Sequence, residues 1–351
     1  MNEMTFVAPT LTSRLTCACN CAYGIDKQSG KYEPPAIYHD GAGWTDGPAA
    51  ISAPESGQPD GPRINACLVG RNQDGIILAF RGTLPPAWTV ASLEDWWQDI
   101  VDAEPVAAPP LPGAVHSGFL AALETLWQNV VQEVQRLRAE HPSAPVLVTG
   151  HSKGGPMASI AAARLYLSEG LSIGGVTTFA SPHPGDRDFV HGYPSDIEVT
   201  RYENYLDLVP FLPPTDAFFA VWKGLPTSWK KSFCDWLEPI CKVLDAAGNW
   251  HYESLGKLLF VTREGTVVGS GNGQADPEYR IGQIVMALFG FESVEAMNAA
   301  ARAGRDVQGS ESGLQRIGAA HCIACPCSQP GKLCAGGYMT GAGGKPICPA
   351  D

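Results

Sequence analysis

A serine between two glycines occurs in the stretch VLVTGHSKGGPMA, residues 146–158. Gly150, Ser152 and Gly154 fit the pattern G-x-S-x-G, with an apolar run before them and a small-residue helical run after them. Between a buried strand and a helix, this pattern forms a sharp turn that lifts the serine hydroxyl clear of the sheet, and the helix N-terminus offers N–H groups to an oxyanion. The pattern therefore predicts a nucleophilic Ser152; a glycine-rich turn that merely connects strand and helix is the alternative.

A serine nucleophile requires a histidine base and a carboxylate that orients this base. In folds that carry the nucleophile on such a turn, the acid follows the serine in the chain and the histidine comes last. Asp207, in RYENYLDLVPFLPP, stands at the end of a predicted strand before a proline-stiffened turn, and it is the favoured acid. Proline-rich turns also favour aspartate for local reasons, and Asp186, Asp188 and Asp216 are weaker candidates in loop-like segments.

Two histidines follow Asp207 in the chain, His251 in NWHYESLGKLLFV and His321 in IGAAHCIAC. Either one satisfies the order of nucleophile, acid and base. The cysteines beside His321 make a metal-ligand role its alternative. The chain order alone leaves the identity of the base open.

The elements that must position these residues alternate between strands and helices, which predicts an α/β fold with a mostly parallel sheet. In such sheets ligands gather at the carboxyl ends of the strands, where Ser152 falls. Residues 1–60 are rich in Gly, Pro and Ser and predict loops. The periodicities predict a hairpin from INACLVGR and DGIILAFRG, a loop with a short helix over 84–115, helices over 117–141, PMASIAAARLYLSEG and 278–305, and strands at APVLVTG, IGGVTTFA, DIEVTRYENYLD and KLLFVTREGTVV.

Charge and hydropathy exclude several classes of function. The 351-residue chain has a formal net charge of −12, which argues against non-specific binding to nucleic acid or anionic membrane surfaces. It contains no apolar run of the ~18 residues expected of a transmembrane helix. The N-terminus lacks the basic and apolar regions of a signal peptide, so we expect a cytoplasmic protein or one exported by a signal-independent route.

The 11 cysteines are unevenly distributed. Cys67 lies in an apolar strand-like run and is expected to be a buried thiol, whereas Cys234 and Cys241 have a spacing that fits one face of a helix. The others cluster near the two ends of the sequence: Cys17, Cys19, Cys21, Cys322, Cys325, Cys327, Cys334 and Cys348. Disulfide bridges, a metal site and reduced structural thiols all remain open for these clusters.

Six short motifs occur in a fixed order: ILAFRGT, DWWQDI, VHSGF, VTGHSKGG, TFASPHPGD and DLVPFLPP. Together they resemble the class 3 lipase family, the fungal-type lipases, over about residues 64–262. The resemblance implies an α/β-hydrolase fold, with a mostly parallel central sheet and helices on both faces. It also implies hydrolysis of carboxylic esters by a chemistry that needs no metal or organic cofactor.

The resemblance also implies roles for individual residues. Ser152 would be the nucleophile and Asp207 the acid, while Thr83 and the backbone amide of Lys153 would form the oxyanion hole. The family's catalytic histidine lies late in the chain, which favours His321 and leaves His251 as the alternative base.

Several neighbouring residues receive supporting roles from the same resemblance. The segment around Tyr252 aligns so that Ser254 occupies the place of a non-catalytic family histidine. The Lys153 side chain, where the family usually has Leu, is expected to reach solvent rather than steer a substrate headgroup. His151 and His116 are expected to have packing roles.

The implied organisation has three consecutive parts, the second of which contains two further regions. Residues 1–60 would be a loop-rich, cysteine-containing extension, 61–321 the hydrolase domain, and 322–351 a Cys- and Gly-rich tail. Within the domain, 84–112 would be a lid region and 265–310 a helical insertion. In the lid, Leu93, Trp96, Trp97 and Ile100 would cover the site in water or meet a lipid surface, and core positions are the alternative for the two tryptophans. Asp99 would support the lid hinge and the oxyanion loop.

The resulting hypothesis is a serine hydrolase of lipid esters, resembling triacylglycerol lipases. Phospholipase A1 and short-chain carboxylesterase are the enzymatic alternatives. An inactive hydrolase scaffold or a thiol- or metal-binding protein is the non-enzymatic one. The expected partner is a lipid or ester substrate, in solution or at a lipid–water interface, and not nucleic acid; the sequence predicts no oligomeric state.

Overall fold

The computed structural model describes residues 10–321, apart from 56–57, 59, 84–103, 237–240, 242–249 and 265. The helices of this part are α1 (Leu11–Tyr23), α2 (Ala36–Ala42), α3 (Ser117–Glu140), α4 (Gly154–Leu167), α5 (Arg187–His191), α6 (Asp216–Gly224), α7 (Thr227–Trp236), α8 (Pro277–Leu288), α9 (Val294–Arg302) and α10 (Glu311–His321). The strands are β1 (Asp46–Ala53), β2 (Asn65–Asn72), β3 (Gly75–Phe80), β4 (Pro105–Ala107), β5 (Ala114–His116), β6 (Val146–His151), β7 (Ile173–Phe179), β8 (Gly185–Asp186), β9 (Val199–Asn204), β10 (Tyr252–Glu253), β11 (Lys257–Val261) and β12 (Val267–Gly269).

Eight of these strands form one sheet in the order β1-β2-β3-β6-β7-β9-β11-β12. The central pairs from β3 to β11 are parallel, and the pairs at both edges are antiparallel. Four short strands form a second sheet in the order β10-β8-β5-β4. The carboxyl ends of β3, β6, β7 and β9 therefore meet at one edge of the central sheet, where the candidate residues follow these strands.

The two faces of the central sheet pack against different helices. In β3, Ile76, Leu78 and Phe80 join a core that includes the apolar faces of α3 and α4, whereas Ile77 and Ala79 pack with α1. This alternation follows from the two-residue period of a strand. The sheet is thus covered on both faces, as the sequence pattern predicts.

Most elements predicted from periodicity are present. The hairpin of β2 and β3 is antiparallel across the predicted turn, and α3, α4 and β6 occupy their predicted segments. β11 and β12 form the late hairpin, and α8 and α9 lie within the predicted helical insertion. Within 84–115, a loop with a short helix was predicted, but the described part contains β4 and β5, which pair with each other, and β5 also pairs with β8 in the second sheet.

The prediction of a loop-rich segment over 1–60 was wrong for residues 11–53. This part contains α1 and α2, and β1 joins the central sheet through β2. The helix signals were present: the Thr10 hydroxyl accepts a hydrogen bond from the backbone N–H of Ser13, and Gly24 follows the last residue of α1. α1 is buried along most of its length because it covers one face of the sheet.

Some cysteines in the described residues form disulfides, and others are thiols. Cys234 and Cys241 form a disulfide, and Cys17 is also disulfide-bonded. Cys19, Cys21 and Cys67 are unbridged and buried, which confirms the prediction for Cys67. The cysteines of 322–351 lie outside the described residues. Among the helices of the described part, none is both long and apolar enough to cross a membrane.

Candidate active site

The turn between β6 and α4 holds Ser152 in a left-handed conformation with φ 55°. This conformation is strained for a non-glycine residue. It is held by a hydrogen bond from the Ser152 N–H to the Phe179 carbonyl (3.0 Å) and one from the Gly155 N–H to the Ser152 carbonyl (2.8 Å). A Cβ at Gly150 would collide with the Gly154 carbonyl, so the close approach of strand and helix requires glycine here.

Three of the predicted residues form one hydrogen-bonded chain. Ser152 Oγ lies 2.9 Å from His321 Nε2, and His321 Nδ1 lies 3.0 and 3.1 Å from the two carboxylate oxygens of Asp207. Because an ionised carboxylate only accepts, the proton of a neutral imidazole is on Nδ1 and Nε2 is free to accept from the serine hydroxyl. All three residues are at least 96% buried, so their hydrogen bonds are sheltered from water.

The acid and the base are themselves fixed by backbone contacts. The Val209 N–H donates to Asp207 Oδ1 (3.0 Å), at the start of the turn that follows β9. His321 is the last residue of α10, where helix carbonyls need partners from elsewhere. Asn204 Nδ2 donates to the Ala320 carbonyl (3.2 Å), and His151 Nε2 donates to the His321 carbonyl (2.8 Å).

The two predicted oxyanion residues belong to segments that meet at the nucleophile turn. Lys153 caps the N-terminus of α4, and Thr83 follows β3, whose residue Phe80 pairs with Gly150 of β6. A Cβ on Gly82 would lie 2.8 Å from Ser152 Cβ, so the segment that carries Thr83 touches the nucleophile turn. The roles of Thr83 and the Lys153 amide in binding an oxyanion remain predictions.

The side chain of Lys153 does not simply reach solvent, as the sequence suggested. It is half-buried, and its ammonium donates to Asn65 Oδ1 (3.0 Å). Asn65 is itself buried and donates to Thr125 Oγ1 on α3 (3.2 Å). The Lys153 ammonium therefore binds a buried acceptor, the amide oxygen of Asn65. The sequence around Ser152 does not indicate this contact.

The alternative base lies in another environment. His251 has a 57% exposed side chain, and its Nδ1 lies 3.5 Å from Asp216 Oδ1, which is also exposed. Asp186 caps α5 by accepting from the Phe189 N–H (2.8 Å). Asp188 follows it in the first turn of that helix. The structure therefore brings His321, and not His251, to Ser152 and Asp207.

His116 and His151, the two histidines predicted to have packing roles, are buried, and so is His183, for which the sequence suggested no role. His116 precedes α3 and stacks on Phe119, with ring centroids 3.9 Å apart. His183 Nδ1 donates to the Pro213 carbonyl (2.7 Å), so its Nε2 accepts from the Ser254 hydroxyl (3.0 Å). Burial lowers the pKa of His183 to about 4. Ser254, which stands where the family often has histidine, thus completes a neutral hydrogen-bonded contact.

A buried ion pair connects the helical insertion to the strand before Asp207. Arg280 of α8 lies 2.6 Å from Glu203 of β9, and its guanidinium stacks over Phe211. Burial would raise the pKa of Glu203, but the guanidinium groups of Arg280 and Arg201 outweigh it and hold this pKa below its usual value. Sequence reasoning missed this pair because its members are distant in the chain.

The predicted lid side chains, Leu93, Trp96, Trp97 and Ile100, and the hinge residue Asp99 lie outside the described residues. Thr83 and Glu104 are the described residues on either side of that segment.

The model of the family Lipase (class 3) matches residues 77–217 of the chain. Within this stretch the chain is similar to class 3 lipases. The matched stretch includes most of β3, the Ser152 turn and Asp207, whereas α1 and His321 lie outside it.

Curated relatives match part of the chain. Lipase A of Sodiomyces alcalophilus is 31% identical over 191 residues, which cover 44% of this chain and 45% of that protein. The lipase of Rhizomucor miehei is 35% identical over 150 residues, or 41% of this chain and 39% of that protein. The chain thus spans less than half the length of these relatives.

A solved triacylglycerol lipase structure, described as having a serine protease triad as its catalytic centre, matches 74% of this chain and 82% of its own chain. The TM-score is 0.50 and the sequence identity 24%. This similarity concerns the fold, and it confirms the α/β-hydrolase fold expected from the motifs.

Proposed function

We propose that the protein is a serine hydrolase that cleaves carboxylic esters of lipids. The observation that carries the proposal is the chain of hydrogen bonds from Ser152 through His321 to Asp207 at the carboxyl edge of the sheet. A hydroxyl is a weak nucleophile at neutral pH unless a positioned base takes its proton. The distance of 2.9 Å between His321 Nε2 and Ser152 Oγ supports the assignment of His321 as that base.

The first step is acylation of Ser152. Oγ attacks the ester carbonyl carbon as His321 Nε2 takes the hydroxyl proton, and the Asp207 carboxylate stabilises the imidazolium through Nδ1–H. The tetrahedral intermediate then collapses, the bond from the carbonyl carbon to the alcohol oxygen breaks, and Nε2–H protonates the departing alcohol. In the second step, water takes the place of the alcohol, and its oxygen attacks the acyl carbon as His321 Nε2 takes one of its protons. The bond from the acyl carbon to Ser152 Oγ then breaks, Nε2–H returns the proton to Oγ, and the acid product leaves.

Negative charge on the carbonyl oxygen develops between Thr83 and the start of α4. The Thr83 hydroxyl and the Lys153 backbone N–H are the proposed donors, and the N-terminal end of α4 adds a favourable dipole. Such preorganised donors act where charge develops in the transition state. The Lys153 ammonium is tied to Asn65, so the proposed role in catalysis belongs to its amide.

Acylglycerols are the proposed substrates. A relative 31% identical over 166 residues is a secreted mono- and diacylglycerol lipase of Gibberella zeae, and the Rhizomucor miehei relative is a lipase. Phospholipase A1 remains a second candidate because a phospholipase A1 of Oryza sativa matches with 26% identity over 170 residues.

A p-nitrophenyl ester series from acetate to palmitate, assayed with wild type, Ser152→Ala, His321→Ala and His251→Ala, tests the proposal. We expect loss of turnover in the first two variants and wild-type rates in His251→Ala. Loss in His251→Ala with retention in His321→Ala would move the base to His251. Emulsified tributyrin and phosphatidylcholine vesicles, assayed in parallel, separate the acylglycerol and phospholipid candidates. A wild type that cleaves none of these esters would refute the proposed function.

A further inference from the structure

Tyr23, the last residue of α1, lies outside the segment that matches the lipase family, yet it contacts the candidate active site. Its hydroxyl lies 2.6 Å from Nδ1 of His151, the residue before the nucleophile. His151 Nε2 in turn lies 2.8 Å from the backbone carbonyl oxygen of His321. A helix of the N-terminal segment is therefore connected to the base through one buried histidine.

The chemistry of the three groups fixes the direction of both hydrogen bonds. A carbonyl oxygen only accepts, so His151 Nε2 carries a proton. Burial, together with the neighbouring His321, holds the pKa of His151 well below its usual value, so the ring is neutral and its Nδ1 must accept. The Tyr23 hydroxyl therefore donates to Nδ1 and keeps the Nε2 proton pointed at His321.

Tyr23 is also held against the segment that carries Thr83. A Cβ on Gly82 would collide with the Tyr23 hydroxyl. The buried guanidinium of Arg81 donates to the carbonyl of Ile25, two residues after Tyr23 (2.6 Å). The end of α1 is thus fixed to β3 and its following turn, independently of the contact with His151.

We propose that Tyr23 is a positioning residue, which holds the backbone of His321 in place through His151. The inference rests on the proposed function, since it concerns the base of that reaction. His321 is the last residue of α10, so its carbonyl depends on a donor from outside the helix. Without the tyrosine hydroxyl, His151 Nδ1 loses its hydrogen-bond donor in a buried site. The tautomer of His151 that carries its proton on Nε2 is then less stable. The imidazole of His321 then samples positions less suited to proton transfer, and such small displacements are costly in catalysis.

Tyr23→Phe tests the proposal, with Tyr32→Phe as the matched control. Tyr32 packs in the same apolar cluster, and its hydroxyl lies 3.1 Å from His39 Nδ1, so both variants remove one Tyr–His hydrogen bond. We expect kcat for a p-nitrophenyl ester to fall roughly tenfold in Tyr23→Phe, with KM unchanged. In Tyr32→Phe, kcat should stay within twofold of wild type. A merely structural role predicts equal losses of thermal stability in the two variants and no separate loss of kcat, and that result would overturn the inference.

Two further measurements isolate the path through His151. His151→Gln keeps a donor and an acceptor and should retain more activity than His151→Leu, which keeps neither; equal rates would contradict the proposal. Adding Tyr23→Phe to His151→Leu should cause little further loss, because the connection is already broken. Independent effects that multiply would show that Tyr23 acts by another route.

The low-field proton resonance of His321 Nδ1–H gives a readout that does not need turnover. It should shift or broaden in Tyr23→Phe and remain as in wild type in Tyr32→Phe. If wild type hydrolyses no ester, the proposed function fails, but this resonance still decides whether Tyr23 positions His321. An unchanged resonance in Tyr23→Phe would refute the positioning role on its own.

Discussion

Replacing Asp207 by Asn should change the tautomer of His321 without changing the shape of the site. The Val209 N–H donates to Oδ1, so the amide oxygen of an asparagine is expected to take this position. The NH2 group then occupies the place of Oδ2, 3.1 Å from His321 Nδ1 in the native protein, while the amide oxygen keeps the place of Oδ1, 3.0 Å from the same nitrogen. An N–H group on Nδ1 would therefore face the N–H groups of the amide. A donor at that position favours a lone pair on Nδ1, which moves the ring proton to Nε2 and removes the acceptor that faces Ser152.

The expected loss combines two effects. The serine hydroxyl can no longer transfer its proton to Nε2, and the imidazolium that forms during attack loses its carboxylate. Loss of the equivalent carboxylate in serine proteases lowers kcat about 10⁴-fold, which corresponds to roughly 5 kcal/mol of transition-state stabilisation. Because Asp207 is fully buried, solvent cannot replace the missing negative charge, and we expect a loss of that order here.

Steady-state hydrolysis of a p-nitrophenyl ester measures the effect, and Asp216→Asn is the matched control. Asp216 lies beside His251, the other histidine that satisfies the chain order, and both side chains are exposed. We expect Asp207→Asn to lose about 10⁴-fold in kcat at unchanged KM and Asp216→Asn to retain the wild-type rate. A loss confined to Asp216→Asn, or an Asp207→Asn variant within tenfold of wild type, would refute the assignment of the acid.

Three further changes have defined outcomes. Thr83→Val should lower kcat by about 10²- to 10³-fold because it removes an oxyanion donor, whereas Thr83→Ser should retain most activity. The pKa of His183 is lowered to about 4 by burial, so its contribution to stability is complete above pH 6.5 and is lost as the pH falls toward 4. His183→Gln should therefore flatten the pH dependence of the urea-unfolding free energy over this range, by up to roughly 3 kcal/mol, and the exposed His191→Gln should not. Arg280→Leu should lower the unfolding free energy by roughly 3 kcal/mol because it leaves Glu203 buried without its closest cation, and adding Glu203→Gln should recover part of this loss.

Sequence patterns indicated those parts of the site that depend on local geometry. The close contact of strand and helix leaves no room for a side chain at Gly150, so the nucleophile turn is visible in the sequence itself. Asp207 was indicated by its position between a strand and a proline turn. His321 is 169 residues from Ser152, and no local rule connects them. The resemblance to a family, and not the residue pattern, favoured it over His251.

The contacts that support these residues could not be predicted, because they join elements that are remote in the sequence. Asn65, which accepts a hydrogen bond from the Lys153 ammonium, is 88 residues away from it in the chain. Tyr23 is 128 residues from His151. α1 itself was overlooked because the loop prediction rested on the Gly, Pro and Ser content of residues 1–60 as a whole, although Leu11–Tyr23 contains neither glycine nor proline and is buried against the sheet. In this helix tertiary packing outweighs the weak local preferences.

Strand β9 connects the acid, the base and the helical insertion. Glu203 pairs with Arg280 of α8, and the next residue, Asn204, donates to the Ala320 carbonyl beside the base. Three residues later the chain reaches Asp207. The same strand therefore positions the carboxylate directly and the imidazole through α10. The end of α10 is also held by His151, the last residue of β6, which leads into the Ser152 turn. The base is therefore fixed by one contact to each of the two strands that carry its partners, Asp207 and Ser152.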